Sequence, residues 1–296
     1  MKNNSISVAI ITFNRSNFLR KNVPTVLRQL KSGDELLIVD NNSTDNTQEF
    51  VKSINDPRVR VIFEKTQGLN HGRNAAIKNA ENFFVLLLDD DARPASNWLS
   101  AYREALGKFP DVAIFAGKTL NDYVGSDKPV YLAEKYEYLL GKKDYGVEYR
   151  FLKKSESPGG GNMMVNKNII LKYGGFDPGF DRNGELLIGN GEKELFNRIN
   201  ATEKCLYVPK GVIYHYAPKS RSTREHLLLR MYWQGYSDAL LAKKNHQLLE
   251  YRMKRIFFYP SKFFFECIKR TVLEPKTIGF SFQMENAKTR GVYNVH

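Results

Sequence analysis

Three consecutive carboxylates, Asp89-Asp90-Asp91, follow directly on the apolar run Phe83-Phe84-Val85-Leu86-Leu87-Leu88. Three anions at one strand end repel one another, and a divalent cation relieves that repulsion. Hard ions such as Mg²⁺ or Mn²⁺ take a few carboxylates together with the phosphate oxygens of a bound nucleotide. A solvated acidic turn, capping a helix that starts near Asn97, is the other reading of such a triplet. Farther along, Glu192 and Glu194 lie in Gly191-Glu192-Lys193-Glu194-Leu195-Phe196-Asn197-Arg198-Ile199 and offer carboxylates for general-base work. His215, in Gly211-Val212-Ile213-Tyr214-His215-Tyr216, offers an imidazole ligand or a structural histidine. The three glycines of Ser157-Pro158-Gly159-Gly160-Gly161-Asn162 let the backbone approach a ligand, or form a flexible loop. Tyr136, Tyr138, Tyr145 and Tyr149 offer rings for stacking on a ligand, or for ordinary half-buried packing.

The elements that must position these groups read as an alternation of strands and helices. Ser7 to Ile11, Glu35 to Asp40, Val59 to Phe63 and Phe83 to Leu88 are apolar runs of strand length. Helices are predicted from Asn17 to Leu30 with Pro24 inside, from the cap cluster Asn41 to Asp45 through Ile54, and from Asn70 onward. This alternation predicts an α/β fold with a doubly wound, mostly parallel sheet, whose ligands sit beyond the carboxyl ends of the strands. Three such ends carry polar loops: Thr12, Asn14 and Arg15 after the first strand, Asp40 and Asn42 after the second, and the Asp triplet. Together they predict a nucleotide pocket, with Asp40 accepting from a base or ribose hydroxyl and Arg73 reaching a phosphate. A turn-and-cap role for Asp40 and a solvated helix position for Arg73 are the alternatives. No Gly-x-Gly-x-x-Gly and no P-loop follows the first strand, which removes the main support for dinucleotide and P-loop readings.

These segments, taken in order, resemble the motifs of family 2 glycosyltransferases with the GT-A fold. The residues that carry the resemblance are Ser7 to Arg15, Ile38 to Asp45, Gly72-Arg73-Asn74-Ala75-Ala76 and Leu88-Asp89-Asp90-Asp91. The resemblance implies a nucleotide-sugar donor, Asp40 near the base, and Asp89-x-Asp91 as the motif for Mn²⁺ or Mg²⁺ and the diphosphate, with Asp91 favoured as the direct ligand. It places Gly161 and Asn162 beside the donor sugar and His215 on the metal or diphosphate. In the family's second acidic motif, Glu192 stands where a catalytic Asp is usual and Gly191 where a Glu precedes it. Helix geometry points the same way. Glu192 shares a face with Leu195, Phe196 and Ile199, whereas Glu194 turns away to pair with Arg198 on the outside. Glu192 is therefore the expected base. Arg221 and Arg224 are expected to cover the departing diphosphate.

Composition bounds the rest. The 296 residues, 42% of them hydrophobic, suffice for one large α/β domain with an appendage. The expected division is a catalytic domain over 1–216, with a donor half to 120 and an acceptor half beyond, and a basic helical region over 217–296. Two cysteines give neither a disulfide framework nor a metal spacing. The first residues lack a signal-peptide pattern and no run of about twenty apolar residues occurs, so a cytoplasmic location is expected. Of the net charge of +13, +9 lies in residues 217–296, with 15 Lys and Arg against 6 Asp and Glu. Aromatics and cations interleave between Arg255 and Lys269, the pattern of an interfacial helix on the inner face of a membrane, or of a helical cap.

The function expected is an inverting, metal-dependent glycosyltransferase of surface polysaccharide or glycoconjugate assembly. Its partners would be a nucleotide-sugar donor, a saccharide or lipid-linked acceptor and an anionic membrane surface, with no nucleic acid. A Rossmann-like nucleotidyltransferase is the first alternative, although Thr12-Phe13-Asn14-Arg15 lacks the glycine-rich basic loop of that class. A basic nucleic-acid-binding protein is the second, without a recognisable motif.

Overall fold

A computed structural model describes residues 5–181, 186–199, 202–257 and 275–295. Four strands, β1 (Ile6–Thr12), β2 (Glu35–Asp40), β3 (Val59–Phe63) and β4 (Phe84–Asp89), pair in parallel in the order β3-β2-β1-β4. β1 and β2 are buried along their whole length, as their unbroken apolar runs require. Successive side chains alternate between two cores. Ile6, Val8, Ile10, Leu36, Ile38, Leu86 and Leu88 pack on one face with residues of α1 (Ser16–Leu27) and α4 (Trp98–Lys108). Ala9, Ile11, Leu37, Val39, Val85 and Leu87 face α3 (Leu69–Asn79), α5 (Lys167–Lys172) and α6 (Gly191–Ile199) on the other. Sliding one strand by one residue would exchange the two sets, so the register is firmly specified.

The parallel order expected from the sequence stops at β4. β8 (Asn162–Asn166) pairs antiparallel with β4 and with β6 (Ile114–Asp122). The sheet then continues to β9 (Cys205–Tyr216) and β5 (Ala92–Pro94), with β7 (Arg150–Phe151) also on β9. The short β5 lies between the Asp triplet and α4, so Asp89 to Asp91 do not cap that helix. Pro24 leaves α1 continuous from Ser16 to Leu27, and the shorter α2 spans Thr47–Lys52.

The chain divides into two compact units. The first takes residues 1–121, 141–183 and 191–216 and contains the strands and α1 to α6. The second takes 122–140, 184–190 and 217–296. Its core joins Leu132, Tyr136 and Leu139 to Leu227 and Met231 of α7 (Arg224–Lys244) and to Phe280 and Met284 of α9 (Pro275–Tyr293). α7 and α9 touch backbone to backbone. A Cβ on Gly235 would overlap the Lys288 carbonyl, and one on Gly291 the Tyr232 carbonyl. α8 (Leu248–Phe257) carries Arg255, which the interfacial reading sets toward lipid. The structure corrects that placement: Arg255 is buried and paired with Glu285 at 2.8 Å. The rest of the aromatic stretch, residues 258–274, lies outside the described residues. Among the described residues no helix is long and apolar enough to cross a membrane.

Candidate active site

The register of the sheet assembles the site within the first unit. Thr12 stands opposite Asp40, and Ile11 opposite Asp89, so β1, β2 and β4 end along one edge. β5 and β9 pair with Ala92 opposite His215, and the Tyr216 amide donates to the Asp91 carbonyl at 2.9 Å. That pairing carries His215 from a distant part of the chain to the Asp triplet. Its Nε2 lies 3.2 Å from Asp91 Oδ1 and 3.9 Å from Asp89 Oδ2.

These three side chains fit a divalent cation. One ligand atom from each of Asp89, Asp91 and His215 lies within 4.8 Å of the others. Neighbouring ligands of an octahedral ion bound at about 2.0–2.1 Å stand about 3 Å apart, so small side-chain movements complete the geometry. The two carboxylates suit Mn²⁺ or Mg²⁺, and the imidazole favours the transition ion Mn²⁺ of the two. Arg15 Nη1 bonds the other oxygen of Asp91 at 2.6 Å and Asp90 Oδ1 at 2.8 Å. Burial opposes the Arg15 charge, but the two carboxylates hold its pKa above the usual range.

Asp90 is not a donor-facing group, which corrects the sequence reading. It is buried, and its oxygens accept from Thr12 Oγ1 at 2.9 Å and from Arg15. Burial, reinforced by Asp91 and Asp89, raises its pKa against the pull of Arg15 and Thr12. Thr12, Arg15 and Asp90 thus tie the β1 loop to the β4 end. Asn14, at φ +53°, accepts the backbone amides of Thr44 and Asp45 at 2.7 and 3.2 Å and ties that loop to the one after β2. Asn42 is exposed at φ +67° in the latter loop. Asp40 Oδ1 accepts the Ser43 amide at 3.0 Å, while its buried Oδ2 has no hydrogen-bond partner among the described residues. An unfilled buried acceptor calls for a donor group, such as a base or ribose hydroxyl.

β8 brings a strip of glycines to the same edge, with Leu88 opposite Asn162 and the Asp89 amide 3.2 Å from the Gly161 carbonyl. Each glycine makes room for a different group. A Cβ on Gly161 would overlap the Asp89 carboxylate, and one on Gly160 would overlap Glu192 Oε1 and Arg73 Nη2. A Cβ on Gly159 would stand 3.2 Å from Lys143 Cγ. The functional reading of this segment therefore concerns its glycines. Asn162 itself is corrected: it is fully buried, its Oδ1 accepts from Trp98 and Tyr102 at 2.8 Å each, and its Nδ2 donates to the Lys118 and Gly211 carbonyls at 2.8 Å. All four of its bonds are made inside the fold, and none is left for a sugar.

Glu192 sits in the first turn of α6 with its side chain 23% exposed, 3.0 Å from Arg73 Nη2. Arg73 is buried beneath it, bonded to Asn70 Oδ1 at 3.1 Å and stacked 5.3 Å from the Phe176 ring centroid. Arg73 thus meets Glu192, where the sequence suggests a phosphate. Glu194 pairs with Arg198 at 2.6 and 3.0 Å as expected, but the pair is not on the outside. Glu194 is buried because Arg198 also reaches the carbonyls of Tyr173 and Gly175 and draws α6 onto that turn.

Arg221 and Arg224 belong to the second unit, where Arg224 lies over the rings of Tyr131 and Phe280 at 4.7 and 5.3 Å. Sequence reasoning misses Lys143, which sits beside the glycine strip in a stretch without periodicity. No local pattern marks it. The tyrosines offered for sugar stacking mostly pack inside their own units. Tyr145 stacks on Tyr207 and Tyr149 on Phe109, while Tyr136 and Tyr138 bond to Glu285 and Met231.

Comparison with known proteins agrees with this geometry. The family described as glycosyl transferase family 2 matches residues 7–171. A glucosyl-dolichyl phosphate glucuronosyltransferase of Haloferax volcanii is 24% identical over 243 residues, 80% of this chain and 77% of that one. The Escherichia coli UDP-Glc:alpha-D-GlcNAc-diphosphoundecaprenol beta-1,3-glucosyltransferase WfgD is 31% identical over 87 residues, 29% of this chain and 34% of that one. Among solved structures, the mannosyltransferase PcManGT of Pyrobaculum calidifontis, in complex with GDP-Man and Mn²⁺, aligns with a TM-score of 0.63. That alignment has 13% identity and covers 98% of this chain and 88% of the other. It shows a shared GT-A fold.

Proposed function

The chain belongs to glycosyltransferase family 2, and from that premise we propose that it is an inverting, metal-dependent enzyme that moves a sugar from a nucleotide-sugar donor to an acceptor hydroxyl. The observation that carries the proposal is the glycine strip, on which Glu192 and Asp89 lie over adjacent residues. The proposed base and a proposed metal-ligating carboxylate thereby converge on one turn of backbone. Family membership displaces the nucleotidyltransferase and nucleic-acid-binding alternatives.

In this mechanism Asp89, Asp91 and His215 would hold Mn²⁺ or Mg²⁺. A bound ion of this kind neutralises charge on a departing diphosphate. Asp40 Oδ2 accepts from the base or ribose, and the loops carrying Asn14, Asn42 and Arg15 shape the nucleoside pocket. Arg73 fixes the orientation of Glu192, which takes the proton of the acceptor hydroxyl as that oxygen attacks from the face opposite the leaving group. Gly160 and Gly161 leave the room that Glu192, Arg73 and Asp89 occupy.

The names of the relatives include dolichyl phosphate and diphosphoundecaprenol, which supports polysaccharide or glycoconjugate synthesis and a lipid-linked acceptor for this chain as well. An acceptor of that kind would bring the basic second unit to a membrane surface. The deciding experiment is turnover of UDP-glucose, UDP-N-acetylglucosamine and GDP-mannose with Mn²⁺, with Mg²⁺ and with excess EDTA. Transfer from one of them that requires the ion supports the proposal. Turnover undiminished in EDTA removes the metal role.

A further inference from the structure

Lys143 stands on the glycine strip beside the proposed base. Two backbone hydrogen bonds with Thr119, of 2.8 and 2.9 Å, fix its position against β6. Its aliphatic stem passes Gly159, as Glu192 passes Gly160 and Asp89 passes Gly161. Cation, base and metal ligand thus meet three successive glycines of a tight turn, closed by the Asn162 amide on the Gly159 carbonyl at 3.0 Å.

The ammonium donates to Ser157 Oγ at 3.1 Å. Among the described residues no carboxylate lies within ion-pair distance of it. Ser157 is itself held by the Tyr145 hydroxyl, which donates to its carbonyl at 2.8 Å. An ammonium has three protons to donate, and the hydroxyl takes one. Burial pushes its pKa down, the Glu192 charge opposes that shift, and Lys193 adds to it. A partly desolvated cation with donors to spare gains most from an anion that enters with the substrate. The donor diphosphate has other ligands in the proposed mechanism, through Asp89, Asp91 and His215, which leaves an anion carried by the acceptor. The acceptor hydroxyl must reach Glu192, and Lys143 passes the glycine next to the one that Glu192 passes.

We propose that Lys143 is an acceptor-recognition residue, whose ammonium binds a carboxylate or phosphate carried by the acceptor near the hydroxyl that Glu192 deprotonates. This rests on the reading of Glu192 as the base. The acceptor is then an anionic saccharide, its charge supplied by a sugar acid or by a sugar phosphate.

The test compares p-nitrophenyl β-glucoside, p-nitrophenyl β-glucuronide and glucose 1-phosphate as acceptors, with the three donors named above. Wild-type enzyme should prefer a charged acceptor, the glucuronide if the anion is a carboxylate and glucose 1-phosphate if it is a phosphate. Lys143→Gln should lower the ratio of charged to neutral kcat/KM by about tenfold or more, the worth of a charged hydrogen bond, and Lys143→Arg should restore part of it. A ratio unchanged in Lys143→Gln overturns the proposal. A second measurement needs no turnover. Acetylation of Lys143, followed by mass spectrometry, should be slowed by glucuronate or glucose 1-phosphate at concentrations where glucose has no effect. Equal rates with all three overturn it. Should Glu192→Gln retain transfer, the base reading falls, while the labelling result still reports on Lys143.

Discussion

Arg73 Nη2 meets Glu192 Oε1 at 3.0 Å, directly over Gly160, where any Cβ would overlap both groups. The α3 arginine, the α6 carboxylate and the glycine of the turn before β8 form one unit, and the direction of the carboxylate follows from all three. A buried guanidinium bonded to Asn70 and stacked on Phe176 has little freedom to move. It gives Glu192 a fixed partner and so a fixed direction.

Replacing Glu192 by Gln removes proton acceptance and keeps the shape. Transfer should fall about 10²–10⁴-fold, with donor affinity close to wild type by calorimetry. A variant that keeps most of its activity would move the base elsewhere.

The metal site predicts a different pattern. Asp91→Asn and His215→Ala should each weaken donor binding when Mn²⁺ is present and change it little in EDTA. Titration of Mn²⁺ followed by paramagnetic relaxation of water measures the ion directly. Unaltered ion affinity in His215→Ala would make His215 structural.

Gly161→Ala tests the strip. Its new Cβ would displace the Asp89 carboxylate, so ion affinity should drop while circular dichroism stays native. Gly160→Ala should lower kcat instead, through Glu192 and Arg73.

Glu194→Gln addresses stability. It leaves Arg198 with its carbonyl partners but without a buried counter-charge, at an expected cost of about 2 kcal/mol, less than for breaking a fully buried pair. The discount reflects the Arg198 side chain, which is 29% exposed. Urea denaturation should show a lower midpoint. Catalysis per folded molecule should fall far less than in Glu192→Gln.

Membrane binding is tested by vesicle flotation. Removing residues 254–296 would strip Phe280 and Met284 from the core of the second unit, so substitution is preferable to deletion. The wild-type protein should co-float with anionic vesicles and do so less at high salt. A variant with Lys262, Lys269 and Arg270 changed to Gln should lose about 1 kcal/mol of binding per cation removed. Equal flotation of the two proteins would mean that this stretch does not read lipid charge.

The sequence by itself determined the parallel half of the sheet. β1, β2 and β4 are unbroken apolar runs because both their faces are covered, and periodicity reports burial of this kind directly. Each run ends in a polar loop, and parallel order alone sets Asn14, Asp40 and Asp89 to Asp91 along one edge. The helical period likewise set Glu192 on the apolar face of α6. It could not show that Glu194 is buried too, because that depends on the turn at Tyr173 to Gly175, which Arg198 grips from a different segment. Only the tertiary structure decided that β8 reverses beside β4, which lays Gly159, Gly160 and Gly161 under Lys143, Glu192 and Asp89. It also decided that β5 pairs with β9 and delivers His215 to Asp91, and that Asn162 spends its amide on Trp98, Tyr102 and two carbonyls. Local pattern records which face of an element is dry. Which residue from a distant element stands against that face is fixed by strand register and by the space that glycines leave open, and neither leaves a period in the chain.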